Sequence, residues 1–233
     1  MLNIICLKWG VKYGPDYVNK LYASIKRNTT VNFKFHCFTE DATDIHEDVI
    51  IHDLPFKDDL DGWWNKVYLF SDQIDIPVGD TIFYVDLDTI ITDNIDDILS
   101  HRSKVLTALR DFYWGLAKSA GPMGSGLMMW EHGQYTVIWD NFIKDPAAAM
   151  KKVFPHGDQH WVNISIKQRL HWQDLFPNRV VSFKVHCRKG QPKNAGIVCF
   201  HGVPSIPGAG TTSGKSWKMK WTPSPWIFKH WKE

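Results

Sequence analysis

The sequence predicts an α/β fold with a mostly parallel central sheet and helices on both faces. Short apolar runs of strand length alternate along the chain with stretches whose apolar residues recur at helical spacing. Strands separated by helical patterns imply a largely parallel sheet. The 233 residues, 44% of them apolar, can bury a sizeable core in one large domain or two small ones. No internal repeat or linker interrupts the pattern, so we expect residues 1–233 to form one domain.

The first half of the chain begins with a buried strand over residues 3–7. Pro15 suits the first turn of a helix, and apolar residues then recur at helical spacing. Asp93 or Asn94 is expected to cap a short helix. Between these elements, the patterns predict strands over residues 33–38, 49–51 and 81–85 and a helix over residues 64–73.

The second half continues the alternation. It predicts strands over residues 104–109, 126–130, 180–183 and 197–200, with helices over residues 135–144 and 158–166. Residues 202–214 are rich in Gly, Pro and Ser and are expected to form a loop. The tail, residues 215–233, interleaves Lys with Trp. That pattern can place a protein on an anionic membrane surface, but we favour a tail that docks its aromatic side chains on the domain.

Two aspartates one residue apart follow the strand predicted over residues 81–85. Side chains at i and i+2 of an extended segment point the same way, with Cα atoms roughly 6–7 Å apart. Asp86 and Asp88 can therefore converge on one hard cation, which proteins typically hold with one or two carboxylates and a substrate's phosphates. In parallel sheets ligands bind beyond the carboxyl ends of the strands, where these residues would lie. An isolated D-x-D is also consistent with a polar strand end followed by a turn.

Composition argues against some partners and compartments. With 27 basic and 25 acidic residues the net charge is +2, which gives no electrostatic basis for nucleic-acid binding. The four cysteines form no C-x-x-C pair and lie in apolar or strand-like runs, as expected of buried free thiols in a reducing compartment. The N-terminal apolar stretch is too short for a signal sequence, and no window approaches a transmembrane span. We therefore expect a cytoplasmic protein, with peripheral contact at the inner face of the membrane as an added role for the tail.

Three further segments, together with the D-x-D, define a resemblance. G-S-G-L-M-M-W covers residues 124–130, G-D-Q covers residues 157–159 and F-H-G covers residues 200–202. In this order and approximate spacing, the segments resemble the motifs of GT-A-fold glycosyltransferases of family 8, which include glycogenin and bacterial lipopolysaccharide galactosyltransferases. Gly124 stands where that family usually has asparagine. The resemblance covers nearly the whole chain and implies the Rossmann-like GT-A fold of nucleotide-diphospho-sugar transferases.

The resemblance also implies a metal-dependent hexosyltransferase. Its donor would be a nucleotide-diphosphate sugar, for which we favour UDP. The hexose would pass, with retention, to a hydroxyl of a glycan, a lipid-linked or a protein acceptor. Asp86, Asp88 and His201 are expected to hold the cation. An imidazole among the ligands favours Mn²⁺, with Mg²⁺ as the alternative. Taken alone, His201 could instead be a histidine whose hydrogen bonds are satisfied at a strand end.

Donor-binding and catalytic residues follow from the same motifs. Asp158 would lie beneath the transferred sugar with Gln159 beside it, and Lys66 would reach the donor or the catalytic carboxylate. Asp158 is alternatively a helix N-cap, and Lys66 a surface lysine. Residues 8–17 follow the first strand, where the family binds the nucleoside, and their tyrosines could stack on the base or pack in the core. The predicted donor-binding set is Lys8, Tyr13, Tyr17, Lys66, Asp86, Leu87, Gly124, Ser125, Gly126, Asp158, Gly202 and Lys215.

The chain departs from the family after His201. Relatives usually place a lysine shortly after this histidine, where it contacts the donor diphosphate, but here the next cation is Lys215. Lys184 and Arg188 are the other candidates for that charge, since each can form charge-assisted bonds to phosphate oxygens. We favour Lys215, because a loop that closes over the bound donor would also exclude water.

Two other functions fit parts of the pattern. A sugar-phosphate nucleotidyltransferase could use the same sheet and paired aspartates, but no glycine-rich, basic phosphate loop follows the first strand. A non-catalytic carbohydrate-binding protein could use the 12 tryptophans, but it would not need two aspartates and a histidine at one site.

Overall fold

The structure, a computed structural model, describes residues 1–56, 59–60, 62–116, 121–216 and 219–233. Its strands, in chain order, are β1 (Leu2–Lys8), β2 (Lys34–Thr39), β3 (Ile50–His52), β4 (Thr81–Val85), β5 (Thr89–Ile91), β6 (Thr107–Leu109), β7 (Gly124–Glu131), β8 (Leu170–His171), β9 (Val180–Ser182), β10 (Ile197–Cys199), β11 (Gly214–Ser216) and β12 (Met219–Trp221). Seven of them form the main sheet, in the order β3-β2-β1-β4-β7-β6-β8.

The main sheet is parallel in its first half and mixed in its second. Strands β3, β2, β1 and β4 all run the same way, as the alternation of strands and helices predicted. Strand β7 then runs antiparallel to both β4 and β6, and β8 is parallel to β6. The carboxyl ends of the four parallel strands therefore share one edge, and β7 begins at that edge beside the end of β4.

Helices cover both faces of this sheet. They are α1 (Pro15–Arg27), a 3-10 helix (Gly62–Phe70), α2 (Asp96–Leu99), α3 (Val137–Phe142), α4 (Pro146–Val153), α5 (Gly157–Ser165), α6 (Trp172–Leu175), α7 (Phe183–His186), α8 (Ile206–Thr211) and α9 (Ile227–His230). Successive side chains of a strand point to opposite faces. Accordingly, Ile5 packs in a core with the 3-10 helix, α3 and α5, whereas Ile4 packs in a second core with α1.

Some local predictions need correction. The segment predicted as a helix over residues 64–73 is a 3-10 helix that begins at Gly62. Residues 202–214, predicted as a loop, contain α8, because Ser205 caps it by accepting a hydrogen bond from the N–H of Gly208 and Pro207 suits its first turn. Helix α4 was not predicted, although Asp145 accepts a hydrogen bond from Ala148 and Pro146 follows as the first helical residue.

A second sheet, β5-β10-β9, joins the middle of the chain to its last third. Strand β5 begins one residue after Asp88 and pairs antiparallel with β10. Strand β10 ends at Cys199, two residues before His201. This pairing brings the D-x-D turn next to the F-H-G segment, more than 100 residues away in sequence.

The tail is docked on the domain. Ile227 and Trp231 are buried in a third core with Phe183, Val198 and Phe200. The ring of Trp231 also lies 5.2 Å from that of Tyr17, and the ammonium of Lys20 lies 3.9 Å from its centroid. Among the described residues of the tail, Trp221, Trp226 and Trp231 therefore pack on the domain, the arrangement favoured from the sequence.

Two further predictions can be compared with the structure. All four cysteines are free and buried, as predicted. Within the described ranges, none of the helices has the length and apolar character needed to cross a membrane.

Candidate active site

A cavity of about 510 Å³ opens at the carboxyl end of β4. Its volume falls within the range of about 300–1,000 Å³ that is typical of small-molecule sites. The lining includes residues of all four sequence motifs and the predicted helical lysine, namely Lys66, Asp86, Asp88, Gly124, Ser125, Gly126, Asp158, Gln159, His201 and Gly202. The fold thus gathers into one cavity the residues that the sequence placed in separate segments.

The D-x-D turn is fixed by backbone bonds on both sides. The N–H of Asp86 donates to the carbonyl of Gly126 on β7, at 2.9 Å. The carbonyl of Asp88 accepts from the N–H of Phe200, also at 2.9 Å. The turn is therefore held between the start of β7 and the end of β10, so its carboxylates have defined positions in the cavity.

The Asp86 carboxylate accepts two hydrogen bonds from buried groups. Its Oδ1 accepts from the hydroxyl of Tyr84 at 2.6 Å and from Nζ of Lys66 at 3.1 Å. Tyr84 precedes Asp86 by two residues, so both side chains point the same way. A Cβ on Gly126 would lie 2.9 Å from Oδ2 of Asp86, closer than real Cβ contacts come. The second glycine of the G-S-G segment thus leaves room for this carboxylate.

The Asp88 carboxylate is bound by Tyr13. The Tyr13 hydroxyl donates to Oδ2 of Asp88 at 3.0 Å. Burial, and then the charge of Asp86, raise the pKa of Asp88. Two carboxylates whose charges act on each other at one cavity favour a bound cation, because the cation would offset both charges.

Lys66 lies at the centre of the polar network. Its side chain is buried, with Nζ 3.1 Å from Oδ1 of Asp86, 3.4 Å from Oδ2 of Asp158 and 3.2 Å from Oγ of Ser125. Burial lowers the pKa of Lys66, but the charges of Asp158 and Asp86 outweigh burial, so the pKa of Lys66 is raised. The lysine is therefore charged at neutral pH, and the alternative of a surface lysine is wrong.

Asp158 lies in the first turn of α5. Its Oδ2 accepts from Oγ of Ser125 at 2.7 Å, and its side chain is buried. The N-cap position of α5 belongs to His156, so the alternative of Asp158 as N-cap is not observed. A carboxylate in the first turn is stabilised by the helix dipole. Gln159 follows on the same helix and also lines the cavity.

His201 lines the cavity from the side of β9 and β10. Its Nε2 lies 2.7 Å from Oγ of Ser182, and its ring stacks on Phe112 with centroids 5.7 Å apart. Burial, and then the charges of Lys184 and His186, lower the pKa of His201 to about 3. The imidazole is therefore neutral at physiological pH, the state in which a histidine can bind a metal.

The predicted set of three metal ligands is only partly assembled. No group of three His, Cys, Asp or Glu side chains within the described ranges is close enough to hold an ion together. Asp86 and Asp88 fit a divalent cation, since their carboxylates share one cavity and Gly126 leaves space beside Asp86. His201 borders the same cavity, but its Nε2 is already hydrogen-bonded to Ser182, because the parallel pairing of β9 with β10 brings that hydroxyl within reach.

Five predicted donor-binding residues do not line the cavity. Lys8 is buried and donates to the carbonyl of Asp41 at 3.0 Å. Tyr17 packs between Tyr13 and Trp231, and Leu87 is 2% exposed in the core. Lys215 lies on β11, beside a groove formed with β12 and Arg188. Tyr13 is also absent from the lining but reaches the site through its bond to Asp88.

The cavity is also lined by residues that are outside the predicted site set. They are Lys12, Trp63, Thr89, Leu109, Arg110, Asp111, Phe112, Tyr113, Pro155, His156, Cys199 and Phe200. Most come from loops whose side chains have no motif or period in the sequence. What distinguishes a residue such as Trp63 is its exposure in an otherwise apolar helix. Exposure cannot be read from sequence, so no sequence signal identified these residues.

Comparison with known proteins places this fold among glycosyltransferases. No family model matches the sequence, and no curated protein is similar to it. The structure is similar to that of the galactosyltransferase LgtC in complex with donor and acceptor sugar analogues, with a TM-score of 0.61, 11% identity and coverage of 88% of each chain. It is also similar to the glycosyltransferase GlyE of Streptococcus pneumoniae TIGR4, with a TM-score of 0.62 and 11% identity, covering 88% of this chain and 56% of GlyE. The predicted GT-A fold is thereby confirmed.

Proposed function

We propose that this chain is a metal-dependent hexosyltransferase that uses a nucleotide-diphosphate sugar, with UDP as the nucleotide and Mn²⁺ as the cation. The hexose passes to a hydroxyl acceptor with retention. One observation carries the proposal: Asp86, Asp88, Lys66 and Asp158 converge in a single cavity at the carboxyl end of β4. A sugar-binding protein without catalysis would not need this buried set of charges around a shared space.

Asp86 and Asp88 would hold the cation together with the diphosphate. A divalent cation in that position would act as a Lewis acid that stabilises charge on the leaving phosphate. The neutral imidazole of His201 is the candidate third ligand, provided that it exchanges its bond to Ser182 for the metal. The cavity thus offers two carboxylate ligands, and an imidazole ligand once the bond between His201 and Ser182 is broken.

Lys66, Ser125 and Asp158 would position the transferred sugar. Because Oδ2 of Asp158 already faces both Lys66 and Ser125, that oxygen is held in place and its charge is partly offset. We therefore assign Asp158 to binding the sugar hydroxyls and supporting positive charge at the anomeric carbon, with Gln159 beside it. In this arrangement the leaving phosphate itself takes the proton of the acceptor.

Lys184 is a better candidate than Lys215 for contact with the diphosphate. Its Nζ lies 4.0 Å from the position that a Cβ on Gly202 would occupy, and Gly202 lines the cavity. Burial lowers the pKa of Lys184, whereas the charge of Asp88 acts in the opposite direction, so the ammonium senses the D-x-D site. Lys215 would need a movement of β11 to reach the same place. We therefore assign the charge balance to Lys184.

Titration calorimetry with UDP, with and without Mn²⁺, tests the metal site. We expect Asp88→Ala to lose the Mn²⁺-dependent part of UDP binding while the fold persists, because a carboxylate bordering a cavity contributes ligation more than packing. Asp53→Ala is the matched control, since Asp53 also follows a parallel strand of the same sheet but lies outside the cavity. Equal Mn²⁺ dependence in wild type and Asp88→Ala would overturn the assignment.

Incubation with UDP- and GDP-sugars then tests the reaction. We expect slow Mn²⁺-dependent hydrolysis of one UDP-hexose in the absence of an acceptor. In a parallel incubation with a nucleoside triphosphate and a sugar phosphate, release of inorganic diphosphate would indicate a nucleotidyltransferase instead. Sugar binding without turnover of any donor would indicate a carbohydrate-binding protein.

A further inference from the structure

We propose that Trp63 is the platform on which a sugar ring of the acceptor stacks, so that the acceptor hydroxyl belongs to a glycan. The inference rests on the proposed glycosyl transfer and names the substrate class for the open side of the same cavity. Trp63 is 55% exposed although seven of the nine residues in its 3-10 helix are buried. It lines the cavity, and more than half of its surface is open to solvent.

The indole of Trp63 packs against backbone. A Cβ on Gly157 would lie 2.6 Å from Nε1 of Trp63 and 3.2 Å from its Cδ1, so the ring lies directly on the start of α5. Gly157 also has φ +67°, a conformation that other residues rarely adopt. Two independent requirements thus keep a glycine beneath this tryptophan, and a ring so placed loses little freedom when a ligand binds.

The base of the tryptophan is fixed in the same way. Gly62, the residue before Trp63, has φ +60°, and a Cβ there would lie 3.1 Å from Cζ2 of Trp9. Trp9 therefore packs on the backbone that carries Trp63, and both glycines permit close contact with an indole. The exposed indole of Trp63 is therefore a packed part of the cavity wall.

The position of Trp63 favours the acceptor over the donor. Trp63 contacts Gly157, which immediately precedes Asp158, the residue assigned to the transferred sugar. The D-x-D turn lies next to the F-H-G segment instead, since the carbonyl of Asp88 accepts a hydrogen bond from Phe200. His201 of that segment stacks on Phe112. Diphosphate beside Asp88 and a sugar above Asp158 leave Trp63 for the molecule that attacks the sugar. The apolar face of a pyranose ring fits an exposed, immobile indole, whereas a serine or threonine acceptor offers no such face.

The chain offers a matched control in Phe228. This side chain is 40% exposed and also packs on the backbone of a glycine, Gly210, but it lies on α9 and does not line the cavity. Phe228→Ala therefore removes an exposed, glycine-seated aromatic ring without altering the site. Trp63→Phe keeps an aromatic face at the site, so it tests the role of the ring even if Trp63→Ala folds poorly.

The test measures transfer to simple sugars against donor hydrolysis. The probes are methyl β-galactoside, methyl β-glucoside and lactose, offered to each variant with the UDP-hexose that wild type hydrolyses. We expect Trp63→Ala to lower the ratio of transfer to hydrolysis by about tenfold to hundredfold, the range for loss of one buried aromatic contact. The loss should appear mainly as a higher KM for the acceptor. Trp63→Phe should recover most of the ratio, and Phe228→Ala should leave it at the wild-type value.

Saturation-transfer NMR with the same probes gives a readout that does not need turnover. We expect signal transfer from wild type, in the presence of UDP and Mn²⁺, to at least one probe and its loss in Trp63→Ala. An unchanged ratio and an unchanged NMR signal in Trp63→Ala would overturn the inference, as would a wild type that binds none of the probes. Equal loss of UDP affinity and transfer would assign Trp63 to the donor instead. If wild type binds no nucleotide, the proposed function fails, and the NMR comparison alone decides whether Trp63 binds sugar.

Discussion

Replacing Lys66 by methionine should destabilise the protein and not only inactivate it. Lys66 is the only basic group within ion-pair distance of either Asp86 or Asp158 among the residues that the structure describes. Methionine keeps the apolar stem but removes the charge. The substitution leaves the buried carboxylate of Asp158 with the hydroxyl of Ser125 and the N-terminal end of α5, but no cation, to offset its charge among the described residues.

The expected size of this effect follows from burial. The side chains of Lys66 and Asp158 are 7% and 8% exposed, so the pair is shielded from solvent. Removing one member of a buried ion pair typically costs about 3–5 kcal/mol, because the remaining charge is left uncompensated. The pair with Asp86 adds less, since that side chain is 35% exposed and better solvated. A loss of about 3–5 kcal/mol is a large share of the roughly 5–15 kcal/mol by which most domains are stable.

Urea unfolding at neutral pH measures the free-energy loss. Lys8→Met is the matched control, because Lys8 is also buried but donates to a backbone carbonyl and lies 3.9 Å from an exposed carboxylate. That variant should lose only about 1 kcal/mol, the typical contribution of one hydrogen bond. The double variant Lys66→Met with Asp158→Asn should recover part of the loss, since Asp158 then carries no charge and only the better solvated Asp86 has lost its cation. A loss below about 1 kcal/mol in Lys66→Met would refute the reasoning.

Two further predictions concern parts of the protein outside the cavity. His36 is buried between His52 and Asn3, and burial, followed by the charge of His52, lowers the pKa of His36 from 6.5 to about 4. Between pH 6.5 and 4 the unfolded chain therefore binds a proton at His36 that the folded chain does not bind. The contribution of His36 to stability is complete above pH 6.5 and is lost as the pH falls towards 4. The pKa shift corresponds to about 3 kcal/mol of stability. Between pH 7 and 4 the free energy of unfolding, measured with urea, should therefore fall by about 3 kcal/mol less in His36→Gln than in wild type. Equal falls in the two proteins would contradict the prediction. Trp231→Ala should lower the free energy of unfolding by about 3 kcal/mol in the same assay, because Trp231 is buried in the third core. Unchanged stability, together with loss of salt-sensitive binding to anionic liposomes, would show instead that the tail binds a membrane.

Much of the fold was predictable because local patterns determine it. The period of the apolar residues distinguishes strand from helix, and the predicted strand over residues 81–85 agrees with β4 at both ends. The antiparallel direction of β7 was not predicted. Strand direction depends on how the chain returns after β6, and the apolar residues of a strand have the same period in either direction.

The candidate site shows the same division. Spacing alone predicted that Asp86 and Asp88 point the same way, because side-chain direction is set by the backbone within a few residues. Sequence also identified Lys66 and Asp158, but only through resemblance, since 92 residues separate them. Their contact, and the burial that shifts the pKa of Lys66, arise when α5 packs against the 3-10 helix.

The sequence by itself determined which residue types could meet at the end of β4, and the tertiary structure decided which of them do. Lys215 was favoured because a loop that carries it could close over the donor and exclude water, yet the fold places Lys215 on β11 and brings Lys184 beside Gly202 instead. His201 reaches the cavity as predicted, but the packing of β9 beside β10 supplies Ser182 as its partner. Charge, hydrogen bonding and desolvation act over a few ångströms of space, so distance along the chain could not reveal which neighbours each side chain would have.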